Sequence, residues 1–201
     1  MAERVAETRE ALISAARELF GQRGFAAVRT QEIVRSARMT RGALYHHFAS
    51  KEDLFRAVYE TVERDLAEQI AATALAASGP VEALRAGAHA FLDACEDSTV
   101  RRIALVDAPS VLGWEQWREI GMQYGLGLVQ ATLEAAMEAG VIERQPVGPL
   151  AHLLLGSIDE AGMLVARADD EGRTKREVAA AIDHYLDALL YSRGRSVPND
   201  E

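Results

Sequence analysis

The stretch TRGALYHHF, residues 40–48, places an arginine, a tyrosine and two adjacent histidines on one short segment. These side chains carry charges or hydrogen-bonding groups that need water or a partner, which is unusual for a helix buried in a core. The donors of Arg41 match guanine O6 and N7, and Tyr45 can donate to a phosphate oxygen. The chemistry that these residue types suit is the binding of a nucleic acid.

Metal binding is the alternative for His46 and His47. Neighbouring residues of a helix point about 100° apart, so two adjacent histidines do not easily share one ion. Contact with nucleic acid is therefore the favoured interpretation of both histidines. We expect neither a metal ion nor a cofactor.

The charge of the chain is unevenly distributed. The formal net charge is −9, but residues 1–60 hold 10 Arg and Lys against 8 Asp and Glu, and residues 22–56 alone have a net charge of +4. A basic N-terminal segment on an acidic chain indicates a polyanionic partner for that segment only. A solvated basic helix face is the other reading of the same pattern.

Capping residues divide the N-terminal part into short helices. A first amphipathic helix ends at GQRG, after which Thr30 stands at an N-cap position before QEIVRSA. Thr40 can cap the next helix, RGALYHHF, and Ser50 with Asp53 can cap a long helix that runs to about Ser78. Two short capped helices joined by a turn predict a helix-turn-helix, whose second helix enters the major groove of DNA.

The rest of the chain is predicted to be helical, because no alternation typical of strands is found in it. The fold class is all-α: a three-helix DNA-binding head with a helix-turn-helix, followed by a larger helical body. The predicted domains are the head at 1–50, the body at 51–192 and a flexible tail at 193–201. The body helices are expected at about 81–96, 98–107 (ending before Pro109), 112–139, 149–168 and 174–192.

Three stretches, ARELFGQRGF, TRGALYHHF and SKEDLFRAV, carry a resemblance to a known family. Residues 8–58 resemble the DNA-binding head of the TetR/AcrR family of bacterial regulators. The resemblance implies about nine helices, a homodimer, and a body whose ligand releases the operator. One position departs from the family, which usually has glycine where this chain has Arg38, and a positive φ there would cost about 1 kcal/mol.

The residues expected to contact DNA lie at the starts of the two short helices, on the second helix and just after it. Arg41 is expected to read a base, whereas the threonines, Tyr45 and Lys51 hold phosphates. Gly42 keeps the helix thin where the DNA backbone approaches. By the resemblance, His47 is the one of the two histidines expected to contact the DNA backbone. The full set is Thr30, Gln31, Thr40, Arg41, Gly42, Ala43, Tyr45, His46, His47 and Lys51.

The helix expected from Pro149 is apolar nearly all round and must be buried on several sides. Together with the helix at 174–192 it resembles the pair that builds the family's dimer interface, so we expect a homodimer through 149–168 and 174–192. The alternative is a central helix in the core of one large monomer.

The body is also expected to hold an unknown small apolar or amphipathic ligand. Four glycines among aromatic residues at 113–127 indicate either a break in the helix, which would form a pocket wall, or close packing against a neighbour. The tryptophans could equally be core or dimer contacts. The candidate ligand-binding residues are His89, Phe91, Cys95, Trp114, Trp117, Met122, Tyr124, His152 and Glu160.

Several function classes are disfavoured. The chain has no phosphate-binding glycine loop, no nucleophile elbow and no zinc-protease motif, so we do not expect an enzyme. With the single Cys95 it can form no intramolecular disulfide, and it lacks an apolar leader and an uncharged span, so we expect a cytoplasmic protein without a membrane partner.

The predicted function is a sequence-specific transcriptional regulator, a ligand-released repressor that binds a palindromic operator as a dimer. The alternative is a helix-turn-helix regulator without a small-molecule effector.

Overall fold

The computed structural model describes residues 2–190, and this range contains nine helices and no strand. The prediction of an all-α fold with about nine helices is confirmed. The predicted tail at 193–201, like the last two residues of the predicted helix 174–192, lies outside the described residues. The helices are α1 (Ala2–Arg23), α2 (Thr30–Ser36), α3 (Arg41–His47), α4 (Lys51–Leu75), α5 (Pro80–Ala94), α6 (Ser98–Val111), α7 (Trp114–Glu138), α8 (Val147–Ala166) and α9 (Glu171–Leu190).

The chain forms two compact units. The first contains the residues up to Asp65 together with Ala94–Ile120, and the second contains Leu66–Asp93 and the residues from Gly121 onward. The predicted DNA-binding head at 1–50 lies inside the first unit. Its functional boundary at residue 50 stays a prediction.

The core of the first unit is centred on three phenylalanines. Phe20 and Phe55 are fully buried, and their ring centroids lie 5.4 Å apart in an edge-on arrangement. Phe25 joins them at 5.7 Å from Phe20 and 5.1 Å from Phe55. Such aromatic contacts add about 0.5–1.5 kcal/mol each beyond the burial of area. They attach the loop after α1 to the first turns of α4.

Helix α6 is not a regular α-helix. It consists of the α-helical Ser98–Val100, the π-helical Arg101–Asp107 and the α-helical Ala108–Val111. The prediction that this helix ends before Pro109 is wrong, because the proline occupies the first turn after the π-helical segment, where a missing backbone donor is tolerated. Wide turns of this kind are rare and often occur at functional sites.

Helix α7 is unbroken, which decides between the two readings of its glycines. The interruption lies before the helix, at Gly113, whose φ is +82°. Gly125 is a site of close packing, because a Cβ there would lie 3.3 Å from Leu155 Cδ1 of α8. Gly127 has open space around it. The second reading, close packing, applies to Gly125.

The second unit has its own apolar core, built by α5, α7, α8 and α9. Leu92, Leu133 and Leu154 are at most 1% exposed. Helix α8 is the one helix of the described residues that is long and apolar enough to cross a membrane, and 44% of its apolar window is buried in the chain. A single helix of this kind is weak evidence for a membrane span, since core helices of soluble proteins have the same length and composition.

A seam of ion pairs joins α5 to α9 beside this core. Arg85 contacts Asp183 at 2.6 Å and Asp187 at 2.7 Å, and His89 Nε2 lies 3.0 Å from Asp183. Burial alone would raise the pKa of Asp183, but the hydrogen bonds and charges of Arg85 and His89 outweigh burial and hold this pKa below its ordinary value. The paired carboxylate therefore stabilises the folded chain when it is ionised.

The seam predicts a pH-dependent effect of Asp183→Asn. A carboxyl group with a depressed pKa in the folded state contributes stability above its unfolded pKa of about 3.9, and the contribution is lost as the pH falls through the folded value. We expect the variant to lose about 1 kcal/mol or less at neutral pH, and its deficit to disappear below about pH 4. Urea unfolding of both proteins in a His89→Gln background, which removes the titratable imidazole beside Asp183, measures the difference. A deficit that stays constant down to the acid limit would contradict the assignment.

Candidate nucleic-acid interface

The turn between α2 and α3 has the hydrogen bonds of a Schellman motif. Met39 N–H donates to Val34 O at 2.8 Å and Arg38 N–H donates to Arg35 O at 3.2 Å. Arg38 occupies the left-handed position with φ +55°, as expected from the glycine that the resembled family usually has there. The motif reverses the chain within a few residues, so that α3 starts close behind α2.

The predicted cap of α3 is confirmed and that of α2 is not. Thr40 Oγ1 accepts a hydrogen bond from Ala43 N–H at 3.1 Å. The prediction that Thr30 caps α2 is wrong, because Arg29 is the N-cap residue. The backbone N–H of Arg29 donates to the Glu32 carboxylate at 3.0 Å. Glu32 is held for this role by an ion pair with Arg23 at 2.6 Å, whose hydrogen bond is the main cause of the lowered pKa of Glu32.

The predicted cap of α4 is confirmed. Ser50 Oγ accepts from Asp53 N–H at 3.0 Å, and the Asp53 carboxylate accepts from Ala49 N–H at 3.1 Å. A further hydrogen bond from Arg56, at 2.9 Å, is the main reason that the pKa of Asp53 is lowered. The end of this helix differs from the prediction, since α4 stops at Leu75 and not at about Ser78.

Helix α3 has one buried face and one exposed face. Leu44 is fully buried, and the C-cap residue Phe48 is 2% exposed. Arg41, Tyr45 and His46 point outward, and the guanidinium of Arg41 lies 5.5 Å from the centroid of the Tyr45 ring. Such a cation–π contact restricts the arginine without occupying its donors. A polar, aromatic surface one helical turn long is thus presented to solvent.

The remaining predicted residues surround this surface. Gln31, Thr40 and Gly42 are exposed, while Thr30, Ala43, His47 and Lys51 are half-buried. The rings of His46 and His47 contact each other edge-on at 5.3 Å. Among the described residues no group of three or more potential metal ligands is found.

Glycine at position 42 is not required by the packing of this chain. A Cβ added there would meet only Thr40 Oγ1, at 3.8 Å, which is an ordinary van der Waals distance. The exposed side of α3 at this point is therefore open, and a partner outside the chain could come close to its backbone.

An open groove of about 370 Å³ lies beside α2, a feature that the sequence pattern did not reveal. Three arginines line the groove, and the repeated arginines in this part of the sequence were the feature that could have predicted it. The groove shares Arg35 with a positively charged segment of the chain. Residues 33–51 contain Arg35, Arg38, Arg41 and Lys51 and no Asp or Glu. Its lining residues are Arg23, Ala27, Arg29, Gln31, Glu32 and Arg35.

Lys51 has a structural contact that the sequence did not suggest. Its ammonium donates to Phe25 O at 2.6 Å and lies 3.9 Å from the centroid of the Phe25 ring. Burial lowers the pKa of Lys51, although the nearby Glu52 and Asp107 oppose this effect. The N–H of Phe25 donates in turn to Asp107 Oδ2 of α6 at 2.7 Å.

The candidate ligand-binding residues are divided between the two units. Cys95, Trp114 and Trp117 belong to the first unit, whereas His89, Phe91, Met122, Tyr124, His152 and Glu160 belong to the second. Cys95 is fully buried, Trp114 is 55% exposed, and His152 and Glu160 are exposed. Neither unit by itself contains the complete set, and the ligand-binding role of these residues stays a prediction.

Trp117 is a core residue of the first unit. It is 4% exposed, its indole N–H donates to Ala104 O at 2.8 Å, and its carbonyl accepts from the hydroxyl of Tyr59 at 3.1 Å. Of the two readings of this tryptophan, pocket wall or core contact, these contacts favour the core.

Two family models match the chain. The model of the "Bacterial regulatory proteins, tetR family" matches residues 12–58, and the "Tetracyclin repressor-like, C-terminal domain" model matches residues 81–189, more than half of the chain. The chain belongs to the TetR family. It is a transcriptional regulator with a DNA-binding helix-turn-helix, and the resemblance seen in the sequence is confirmed.

Known proteins resemble the chain over most of its length. It is 28% identical over 149 residues to the Transposon Tn10 TetC protein of Escherichia coli, covering 74% of this chain and 75% of that protein. A crystal structure of a TetR-family transcriptional regulator from Pectobacterium atrosepticum has a TM-score of 0.86 at 29% identity, covering 95% of this chain and 98% of that one. RolR in complex with its ligand resorcinol has a TM-score of 0.74 at 21% identity, covering 94% and 90%, and shows the same fold.

The contact of Lys51 with Phe25 predicts a loss of stability in Lys51→Met. The substitution keeps most of the apolar stem but removes the charged donor to the carbonyl, which should cost about 1–3 kcal/mol. Urea unfolding followed by circular dichroism measures the loss. Arg64→Met, on the exposed side of the same helix, is the matched control and should change stability by less than about 0.5 kcal/mol. Equal effects of the two substitutions would contradict the structural role of Lys51.

Proposed function

We propose that the chain is a repressor that binds a palindromic operator as a dimer and leaves it when a small ligand binds. The observation that carries this proposal is the outer face of α3, where Arg41 and Tyr45 are exposed, polar and stacked on each other. A helix of seven residues presenting such a face after a tight turn suits the major groove.

The residues of this surface would divide the work of recognition. Arg41 is at the first position of α3 and has free donors for guanine, the commonest base contact in the major groove. Thr30, Thr40, Tyr45, His47 and Lys51 would hold phosphates, which orient the protein without reading the sequence. At Gly42 the open surface leaves room for the DNA backbone. Gln31, Ala43 and His46 complete the proposed contact surface.

A second copy of the chain is the proposed partner of α8 and α9. Leu153 and Leu164 of α8 are 66% and 51% exposed, and they share a face with Ser157 and Glu160 at the spacing of one helical stripe. Large apolar side chains exposed on one face of a helix are typical of a protein interface. They disfavour the alternative in which α8 is the central helix of one monomer core.

The effector is the least defined part of the proposal. We propose a small apolar or amphipathic ligand, held by residues among the nine candidates, with the protein acting on DNA in the cytoplasm. RolR, which has this fold, was crystallised with resorcinol, so the fold is able to hold a small molecule. The packing of Trp117 supports the second candidate function, a regulator without an effector.

Fluorescence anisotropy tests the proposed function. The purified protein is titrated onto labelled duplexes from the region flanking its own gene at two salt concentrations, with Tyr45→Ala as the comparison. We expect tight binding that weakens steeply with salt and is lost in the variant. If these duplexes do not bind, selection from a library of genomic fragments follows, and failure to enrich any fragment would contradict DNA binding.

The position of Arg41 predicts a local change of sequence preference. Arg41→Ala should lose about 1–3 kcal/mol of discrimination at one base position in each half-site and leave the other positions unchanged. Anisotropy on a set of single-base operator variants measures this. An equal loss of affinity on every operator variant would indicate that Arg41 contacts phosphates and does not read a base.

The exposed face of α8 predicts that Leu153→Glu separates the dimer. A buried carboxylate without a partner opposes association, so the mass in solution should fall from two chains to one. Light scattering after size exclusion measures the mass. Leu75→Glu is the matched control, since Leu75 is 84% exposed at the end of α4, and this variant should stay dimeric. A monomeric wild type, or a Leu153→Glu variant that remains dimeric, would contradict the proposed interface.

A further inference from the structure

Arg38 is an exception in the backbone of this chain. Four of the described residues have a positive φ, and three of them are glycines: Gly24, Gly113 and Gly140. The fourth is Arg38, at +55°. A side chain in this left-handed region brings its Cβ close to the following carbonyl, which is why glycine is preferred there. The residue at position 38 thus opposes the stability of the turn that contains it.

The position cannot relax without losing the turn. Arg38 follows the C-cap residue of α2, Ala37, and its left-handed conformation lets Met39 N–H reach Val34 O at 2.8 Å. This bond and the one from Arg38 N–H to Arg35 O close the Schellman motif that aims α3. An ordinary φ at position 38 would separate these groups, so the strain is maintained by the helix-turn-helix itself.

Among the described residues no side-chain partner compensates for the strain. Arg38 is exposed, and within the part of the chain that the structure describes no carboxylate forms an ion pair with it. A guanidinium near the C-terminus of α2 does interact favourably with the helix dipole. A polar residue that tolerates a left-handed backbone would form the same turn with less strain. The turn therefore does not explain the arginine, and a contact with another molecule would.

The surroundings of Arg38 indicate an anionic partner. Arg35 and Arg41, three residues before and after it, are also exposed, and residues 33–51 contain no acid. Three like charges in such a short segment repel one another unless a polyanion neutralises them. Backbone strain that persists on a functional surface is often part of the function of that surface.

We propose that Arg38 is a further DNA-binding residue, a contact to the phosphate backbone that is retained at the expense of stability in the turn. Phosphate contacts fix the register of a helix-turn-helix on the duplex, and Arg38 directly precedes the segment that caps and starts α3. The inference rests on the proposed DNA-binding function and adds a residue and a role to it.

The test measures stability and DNA binding on the same variants of the full chain. Wild-type protein first enriches a duplex from a random-sequence library, and this labelled duplex is the probe for anisotropy at several NaCl concentrations. The variants are Arg38→Gly, Arg38→Asn and Arg38→Lys. The matched control is Arg144→Gly, which removes an exposed arginine from the loop between α7 and α8.

Arg38→Gly should move the two readouts in opposite directions. Relief of the strain should raise Tm by about 2–4 °C. Without the guanidinium, DNA binding should weaken roughly tenfold, and the slope of log affinity against log salt should fall by about 0.9 for each phosphate that is no longer neutralised. Arg38→Asn should bind DNA as weakly as Arg38→Gly, Arg38→Lys should keep the wild-type slope, and Arg144→Gly should change neither slope nor affinity.

Two results would overturn the inference while leaving the proposed function intact. The first is an Arg38→Gly variant with the affinity and salt slope of the wild type. The second is a fall of Tm in Arg38→Gly and Arg38→Asn, which would show that the charge serves the helix dipole of α2. A wild-type protein that enriches no duplex would remove the proposed function itself, and the inference with it.

Discussion

Both backbone polar groups of Phe25 are held by side chains from distant parts of the chain. The N–H donates to Asp107, 82 residues away, and the carbonyl accepts from Lys51, 26 residues away. The Phe25 ring contacts both Phe20 and Phe55 at the same point. Because the loop from Gly24 leads directly into α2, these contacts decide where the helix-turn-helix begins relative to α1, α4 and α6. The turn at Arg38 then decides where α3 points.

Some charged side chains in the described part of the chain are paired with one another, whereas the cation at the start of α3 is not. In the second unit Arg85 and Asp183 neutralise each other across α5 and α9, and hydrogen bonds from Arg85 and His89 lower the pKa of the aspartate. In the first unit Arg41 is stacked on Tyr45, and its donors stay directed to solvent. Internal pairing consolidates a structural core, whereas cations without acidic neighbours raise the local potential for an anionic partner. The positive segment is small, which explains how a chain with a net charge of −9 can present a surface for DNA.

The local features of the fold were predictable and the long-range ones were not. The caps at Thr40 and Ser50 follow from hydrogen bonds within four residues, and the sequence predicted both. Thr30 failed as a cap because Arg23, from the preceding helix, holds Glu32 in place to accept from the backbone of Arg29. The continuation of α6 through Pro109 depends on a π-helical segment, which no periodicity of 3.6 residues reveals.

The sequence by itself determined the helical class, the helix-turn-helix and the resemblance to the TetR family, because periodicity, caps and short motifs are properties of neighbouring residues. Only the tertiary structure decided that Trp117 is packed in a core and that Lys51 donates a hydrogen bond to the Phe25 carbonyl. It also decided that Leu153 and Leu164 of an apolar helix are exposed. Each of these depends on which segments meet in space. Contacts over tens of residues are set by the packing of whole helices, which a reading of local pattern does not contain.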